Sequence, residues 1–411
     1  MNPYTLLFIA AVALSLLIQQ WLAGRQIAHI HARRNQVPEA FADSISLAAH
    51  QKAAEYSIAK TRLGRIELIY DIALLLAWTL GGGLALLNDL VLQLGWDPLI
   101  SGVIVMMSFL LLTSLLDVPF SAWSTFNLES RFGFNHSTPG LFVGDLAKQA
   151  MLLLIIGTPL VWLVLWLMQA SGPLWWLYVW AVWVSFSLIM MWAFPAFIAP
   201  LFNKFMPLED SELRQRIEGL LSRCGFTSQG IYVMDGSRRS GHGNAYFTGL
   251  GHNKRIVFFD TLINTLDPDE IEAVLAHELG HFKRRHVQKR LISMLFISMA
   301  GLALLGWLVE QPAFYQGLGA PEPSMHMALL LFMLTAPVFS LFLQPVFSKL
   351  SRKHEFEADS FAAEQTGAGF LISALVKLYR DNASTLTPDP LYSAFHDSHP
   401  PASVRVAHLS R

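Results

Sequence analysis

Seven stretches of this 411-residue chain are each long and apolar enough to cross a lipid bilayer, and nothing else in it limits the fold as much. A helix rises ~1.5 Å per residue, so about 20 apolar residues cover the ~30 Å of hydrocarbon. The runs are approximately residues 4–23, 66–87, 99–116, 150–168, 174–194, 291–309 and 325–347. A bilayer offers the backbone no water, so segments that cross it must close their hydrogen bonds internally, as helices do. Gly157, Pro159 and Pro337 mark kinks in the fourth and seventh runs. Hydrophobic residues make up 53% of the chain and charged residues 14%. Mean hydropathy is +0.42, outside the soluble globular range. The first run has no basic residues before it, so it reads as a span rather than a signal peptide. The tryptophans crowded into runs four and five read as an interfacial belt plus packing.

Charge then orients the spans. All 29 basic residues fall in four segments, 25–65, 131–148, 204–290 and 349–411. Seven crossings place those four segments on one face, which the positive-inside rule makes cytoplasmic, with the N-terminus outside and the C-terminus inside. The opposite loops, around 88–97, 171–172 and 311–324, carry no basic residue. Net charge is −1, which excludes a nucleic-acid partner and leaves the lipid bilayer as the evident one. The single cysteine, Cys224, rules out an intramolecular disulfide framework and reads as a small buried residue.

The chemistry lies in His277-Glu278-Leu279-Gly280-His281. Asp267-Pro268-Asp269-Glu270 opens its helix: Asp267 as cap, Pro268 in the first turn, Glu270 closing a capping box. Ile271, Val274, Leu275 and Leu279 give it an apolar face. His277 and His281, four residues apart, put two imidazoles within reach of one zinc ion, and Glu278 stands beside them as a general base. The plainer reading is two surface histidines flanking a salt-bridged glutamate, so a third ligand on the same face is the test.

The last cytoplasmic segment supplies one. Two spans separate His281 from Glu355, and an even number of crossings returns the chain to the side it left. Glu355 and Asp359 share a helix face while Glu357 points elsewhere, so Glu355 is the third ligand and Asp359 a hydrogen-bond acceptor for a ligating histidine. Arg284 and Val287 occupy the positions where another zinc-protease class carries a glycine and its third histidine.

The rest of the cytoplasmic chain is organised around that helix. Segment 25–65 reads as helical with a break at Pro38, and the stripe Lys52, Tyr56, Lys60 as a solvated face. Residues 117–148 read as a long aromatic loop that either packs near the site or gates it. Residues 213–224 form an amphipathic helix, 231–234 a strand, 235–237 a turn, and 245–249 with 255–259 a hairpin around Gly251-His252-Asn253. A strand edge beside the site can hold an extended peptide, although an ordinary covering hairpin has the same pattern.

Taken together, these motifs resemble the type I CAAX prenyl endopeptidases, integral-membrane zinc metalloproteases. The likeness runs through Phe132-Gly133-Phe134-Asn135, Pro200-Leu201-Phe202-Asn203-Lys204, Asp235-Gly236-Ser237, Asn244-Ala245-Tyr246-Phe247, the histidine helix, residues 355–359 and His399-Pro400-Pro401. It implies a mainly α polytopic protein whose seven spans enclose a chamber, with a zincin-like α+β region on the cytoplasmic side. It implies one zinc per chain and a peptide or protein substrate cleaved to release the tripeptide after a prenylated cysteine. It adds Asn244 for holding the substrate backbone, His399 for the oxyanion, and Arg405 for holding the site and meeting a substrate carboxylate. By position alone, His399 is a loop residue and Arg405 a surface charge. The division expected is 1–200 for spans one to five, 201–290 for the peptidase region, 291–348 for spans six and seven, and 349–411 for the helices completing the site. The membrane is either a bacterial inner membrane or the endoplasmic reticulum. Two rivals remain at this point: a membrane-protein quality-control protease without a prenyl requirement, and a transporter or scaffold with structural zinc.

Overall fold

The computed structural model describes residues 2–209, 211–226, 228, 230–248, 255–320 and 322–410. Helix α1 covers Pro3–Arg33 and α2 Leu47–Trp78, followed by α3, Gly83–Leu92. Then come α4, Pro98–Phe132, α5, Pro139–Ala170, and α6, Gly172–Phe202. The later spans are α9, His286–Leu308, and α10, Met325–Thr366. Six of these helices are apolar enough to cross a membrane, and the pair α2 and α3 makes up the seventh.

That pair departs from the uniform helix expected over 66–87. α2 and α3 meet at a 48° bend. The Gly81-Gly82-Gly83 run sits there, with Gly82 at φ +77°, a conformation a side-chain-bearing residue adopts only with strain. Irregular turns stand where kinks were expected, a π-helical turn at Leu153–Gly157 just before Pro159 and a 3₁₀ turn at Leu341–Leu343 after Pro337, and a further π-helical turn at Phe194–Ile198 surrounds Pro195.

Phe8, Leu84, Val105, Met106, Leu165, Leu330 and Leu331 form part of a buried apolar core between the spans. Within it His326 Nε2 lies 2.8 Å from Asn88 Oδ1, a polar tie between α10 and α3. Outward-facing Leu17, Leu115, Ile189, Met294 and Phe296 are exposed. An apolar surface of that extent has hydrocarbon as its solvent. The protein is therefore a multi-pass membrane protein.

Between α6 and α9 lies a mixed sheet. Strands β1, Phe205–Pro207, β2, Gly230–Met234, β3, Ala245–Thr248, and β4, Arg255–Phe259, take the order β1-β2-β4-β3. β2 and β4 are parallel, β3 and β4 antiparallel with Ala245 opposite Phe258. β3 thus forms an edge. The turn expected at residues 251–253 lies outside the described residues. Helix α7, Ser211–Cys224, and helix α8, Pro268–Lys283, pack on the sheet together with α11, Ala368–Asp381. Leu213, Ile217, Phe258, Ile271, Leu275 and Leu371 join them in one apolar cluster, and Cys224 is buried in it. Two short helices, α12, Pro390–His396, and α13, Ala402–Leu409, close the chain.

One expectation fails here and another holds only in part. Segment 117–148 is mostly helix: α4 runs on to Phe132, absorbing a π-helical stretch at Ser124–Glu129, and α5 begins at Pro139, so only residues 133–138 are loop. The glycine and proline that suggested a long loop mark one tight corner, with Gly133 at φ +81°. The stripe on α2 is solvated at Lys52 and Lys60, which are exposed, but not at Tyr56. Tyr56 is 5% exposed and its hydroxyl donates to Glu129 Oε1 at 2.6 Å.

Helices α8 and α10 touch backbone to backbone. A Cβ on Gly280 would stand 2.9 Å from Ala358 Cα and 3.1 Å from its carbonyl oxygen. Backbone fills that space, so a methyl group must push the helices apart. Gly280→Ala should therefore cost about 1–3 kcal/mol through overpacking, despite the ~1 kcal/mol that alanine gains in helix propensity. Thermal unfolding in detergent reads the result, and an unchanged or raised midpoint would refute the close contact.

Candidate metal centre

Helix α8 begins as expected. Asp267 and Glu270 form the capping box, and the Asp267 N–H donates to Glu270 Oε2 at 2.8 Å. Lys377 of α11 donates to Asp267 at 2.7 Å and to Glu270 at 2.8 Å, pinning the start of α8 from a second helix. Three turns later His277 and His281 face the same way, with ring centroids 5.0 Å apart. The crossing at Gly280 brings α10 alongside and sets Glu355 opposite both rings.

The ligand atoms converge. His277 Nε2 and His281 Nε2 are 3.3 Å apart. Each stands 3.4 Å from an oxygen of Glu355. For a tetrahedral ion with bonds of about 2.0–2.1 Å, neighbouring ligands sit ~3.3–3.4 Å apart. The spacing of the two imidazole nitrogens matches that figure, and Glu355 turns Oε2 toward His277 and Oε1 toward His281. Glu355 is 3% exposed, and its Oε2 has no hydrogen bond. His399 Nδ1 approaches that oxygen to 2.7 Å, but the two are not aligned as a hydrogen bond. A buried carboxylate oxygen ringed by imidazole nitrogens and left unbonded is what a shared cation would satisfy. Electrostatics agree. Burial disfavours a charged His277 ring, yet the Asp359 and Glu355 carboxylates outweigh it and hold its pKa up at about 9. The pocket favours positive charge.

Each imidazole is held from behind. His277 Nδ1 lies 2.8 Å from Asp359 Oδ1, which leaves Nε2 facing Glu355. Arg405 clamps Asp359 with Nε to Oδ2 at 2.9 Å and Nη2 to Oδ1 at 2.5 Å. At 7% exposure Arg405 is no surface charge. His281 Nδ1 lies 3.1 Å from His286 Nδ1, and His286 Nε2 lies 2.9 Å from Glu357. With His286 Nε2–H donating to Glu357, its Nδ1 accepts from His281 Nδ1–H. His286 is fully buried and stacked on His354 with centroids 4.1 Å apart. Glu357 therefore does not point away from the site; it reaches it through His286. The sequence signal was a third histidine five residues beyond His281.

Glu278, half-buried, and Asn244, exposed, line a cavity of ≈ 220 Å³ with His277, His399 and Arg405. All the residues singled out from the sequence thus gather in one place. The loop that delivers Asn244 is fastened at several points. Asp235 Oδ1 accepts from the Lys204 N–H at 2.7 Å, and the Ser237 hydroxyl donates to Asp260. Arg239 binds Asp145 and Asn203. His242 stacks on Phe134 at 4.2 Å and meets Glu129 Oε2 at 3.3 Å. Asn382 accepts from the Gly243 N–H and donates to its carbonyl. Segment 117–148 therefore packs beside the site and holds this loop.

Comparison with known proteins agrees with this architecture. Residues 26–204 match the family model of the CAAX prenyl protease N-terminal region, with five membrane helices, and residues 207–411 match peptidase family M48. A CAAX prenyl protease 1 homolog from Arabidopsis thaliana is 35% identical over 382 residues, covering 90% of this chain and 89% of the relative. CAAX prenyl protease 1 of Saccharomyces cerevisiae is 34% identical over 404 residues, covering 91% and 88%. The crystal structure of S. mikatae Ste24p superposes with a TM-score of 0.92 at 32% identity, covering 100% of this chain and 99% of that one.

The clamp on Asp359 yields a stability test. Arg405→Met leaves a buried carboxylate without its cation, and such losses cost about 3–5 kcal/mol. Arg405→Met combined with Asp359→Asn should recover much of that loss. Denaturation of the detergent-solubilised protein checks both, and a single variant as stable as the parent would refute the pairing.

Proposed function

The chain belongs to the CAAX prenyl protease family, with its peptidase part in family M48, and from that premise we propose that it is a zinc endopeptidase releasing the C-terminal tripeptide of prenylated CAAX-type peptides or proteins. Metalloendopeptidase activity follows from membership, which also removes the transporter reading. Zinc as the metal is supported by the two-imidazole, one-carboxylate donor set, with the imidazole nitrogens 3.3 Å apart and a Glu355 oxygen 3.4 Å from each. That convergence is the observation that carries the proposal. Three protein ligands leave a fourth position free, as catalytic zinc requires and structural zinc does not.

When bound, zinc polarises the scissile carbonyl and lowers the pKa of water to about 7. His277, His281 and Glu355 hold it. Glu278 takes the proton from the attacking water and passes it to the departing amine. Asn244, at the start of the free edge of β3, aligns the substrate backbone, and main-chain pairing along that edge holds the peptide extended. His399 donates to the carbonyl oxygen as negative charge develops there. Asp359 keeps His277 turned toward the metal, and Arg405 keeps Asp359 in place. Residues 201–290 and 349–411 build this site between them, on the face that the distribution of lysine and arginine makes cytoplasmic, with the N-terminus outside.

Purified protein should cleave a farnesylated CAAX peptide, lose activity to a chelator and regain it with zinc. Equal cleavage of the unfarnesylated peptide would refute the prenyl requirement and favour a quality-control role. Glu278→Gln should lower turnover at least about 10²-fold while one zinc per chain stays bound; retained turnover would remove Glu278 from its role. His281→Ala should lose the metal by elemental analysis, and a full equivalent of zinc in that variant would exclude His281 as a ligand.

A further inference from the structure

Helix α2 carries Lys60 to the wall of a cavity of ≈ 560 Å³ that is also bounded by His242, Asn382, Asp397 and His399. Asn382 and His399 line the smaller cavity at the metal centre as well, so the two spaces adjoin at those side chains. Lys60 makes no ion pair among the described residues. Its ammonium rests 5.9 Å from the centre of the Tyr56 ring, and Tyr56 is itself anchored on Glu129. Arg405, the cation beside the metal ligands, spends its Nε and Nη2 on Asp359. Arg25 is likewise paired with Asp389. Asp397 borders the larger cavity, and no ion pair joins it to Lys60 among the described residues.

Chain direction links this cavity to the substrate path. β3 begins at Ala245, and the residues before it, Asn244, Gly243 and His242, lead from the metal centre to the Lys60 cavity. A peptide paired antiparallel to β3, the geometry β3 already shares with β4 and the more stable of the two ladders, runs the other way. It enters at the Phe247 end and leaves past Asn244 and Gly243, so the residues beyond the cleaved bond fall in the Lys60 cavity. Three extended residues span about 10 Å. Farther on, a cavity of ≈ 400 Å³ joins Lys60 to Glu67, and one of ≈ 470 Å³ is lined by Glu67, Asp71 and Asp117. A carboxylate passing Lys60 meets three acids and Arg65, whose Nε donates to Gln20 Oε1 at 2.7 Å.

Building on the peptidase function proposed above, we propose that Lys60 binds the terminal carboxylate of the substrate segment that cleavage releases, which makes it a specificity-determining residue. It selects peptides that end a few residues beyond the scissile bond and disfavours longer chains, whose neutral backbone would lie where the carboxylate belongs.

The test compares two farnesylated peptides, identical except for a C-terminal carboxylate or amide, cleaved by the full-length protein and by Lys60→Met and Lys60→Arg. Losing one charge-assisted contact is expected to cost about tenfold to a hundredfold. The unaltered protein should favour the carboxylate peptide by that factor, carried mainly by KM. Lys60→Met should erase the preference while cleaving the amide peptide as the unaltered protein does, and Lys60→Arg should keep it. A preference that survives Lys60→Met, or none in the unaltered protein, overturns the assignment and leaves the peptidase standing. Cleavage of neither peptide by the unaltered protein overturns both.

Discussion

The contact between Gly280 and Ala358 is the constraint on which the rest of the site depends. Two of the three converging ligand atoms ride on α8 and the third on α10, and between them the chain crosses the bilayer twice. Nothing local brings such segments together. The glycine lets the two backbones touch, a close approach that small residues commonly allow between helices. That contact sets the separation and rotation that leave Glu355 3.4 Å from both imidazoles. A larger residue there would move every ligand distance at once.

Helix α10 then does more than supply one ligand. Its acidic residues at 355, 357 and 359 reach the centre by three routes. Glu355 faces it directly, Asp359 holds His277, and Glu357 holds His281 through His286. A buried ion pair such as Arg405 with Asp359 does little for net stability, because desolvation offsets its attraction. Its physical consequence is orientation. Each ring has one nitrogen committed to a relay, which leaves the other aimed at the ion. A single helix thereby sets position and tautomer together.

What could be read from the sequence followed from rules that act within short windows or count crossings. The spans, the cap at Asp267 and Glu270, the histidine spacing and the strands at 231–234 and 255–259 are of that kind. So was Glu355, since parity of crossings is a topological fact. The misreadings have a common cause. Tyr56, Glu357 and Arg405 are polar residues that became buried or engaged only because distant partners arrived: Glu129, His286 and Asp359. Helical periodicity says which face a residue lies on, but not what the fold sets against that face. The break between α2 and α3 was missed differently. Three consecutive glycines were visible, yet hydropathy, which treats glycine as neutral, passed across them.

The membrane region also shapes the catalytic part rather than merely anchoring it. The loop before Asn244 is held by Asp145 and Phe134, from α5 and the corner before it, by Glu129 of α4, and by Asn382 at the end of α11. Tyr56 of α2 braces Glu129, so a residue on the helix that leads into the second span stands two contacts behind the substrate edge. Loops ordinarily open at low free-energy cost unless side chains beyond their own segment tie them down. Here those ties come from both the helical region and the sheet region. The edge strand that would receive a peptide is therefore positioned against the spans that bound the cavities, and neither part would present that edge in the same place alone.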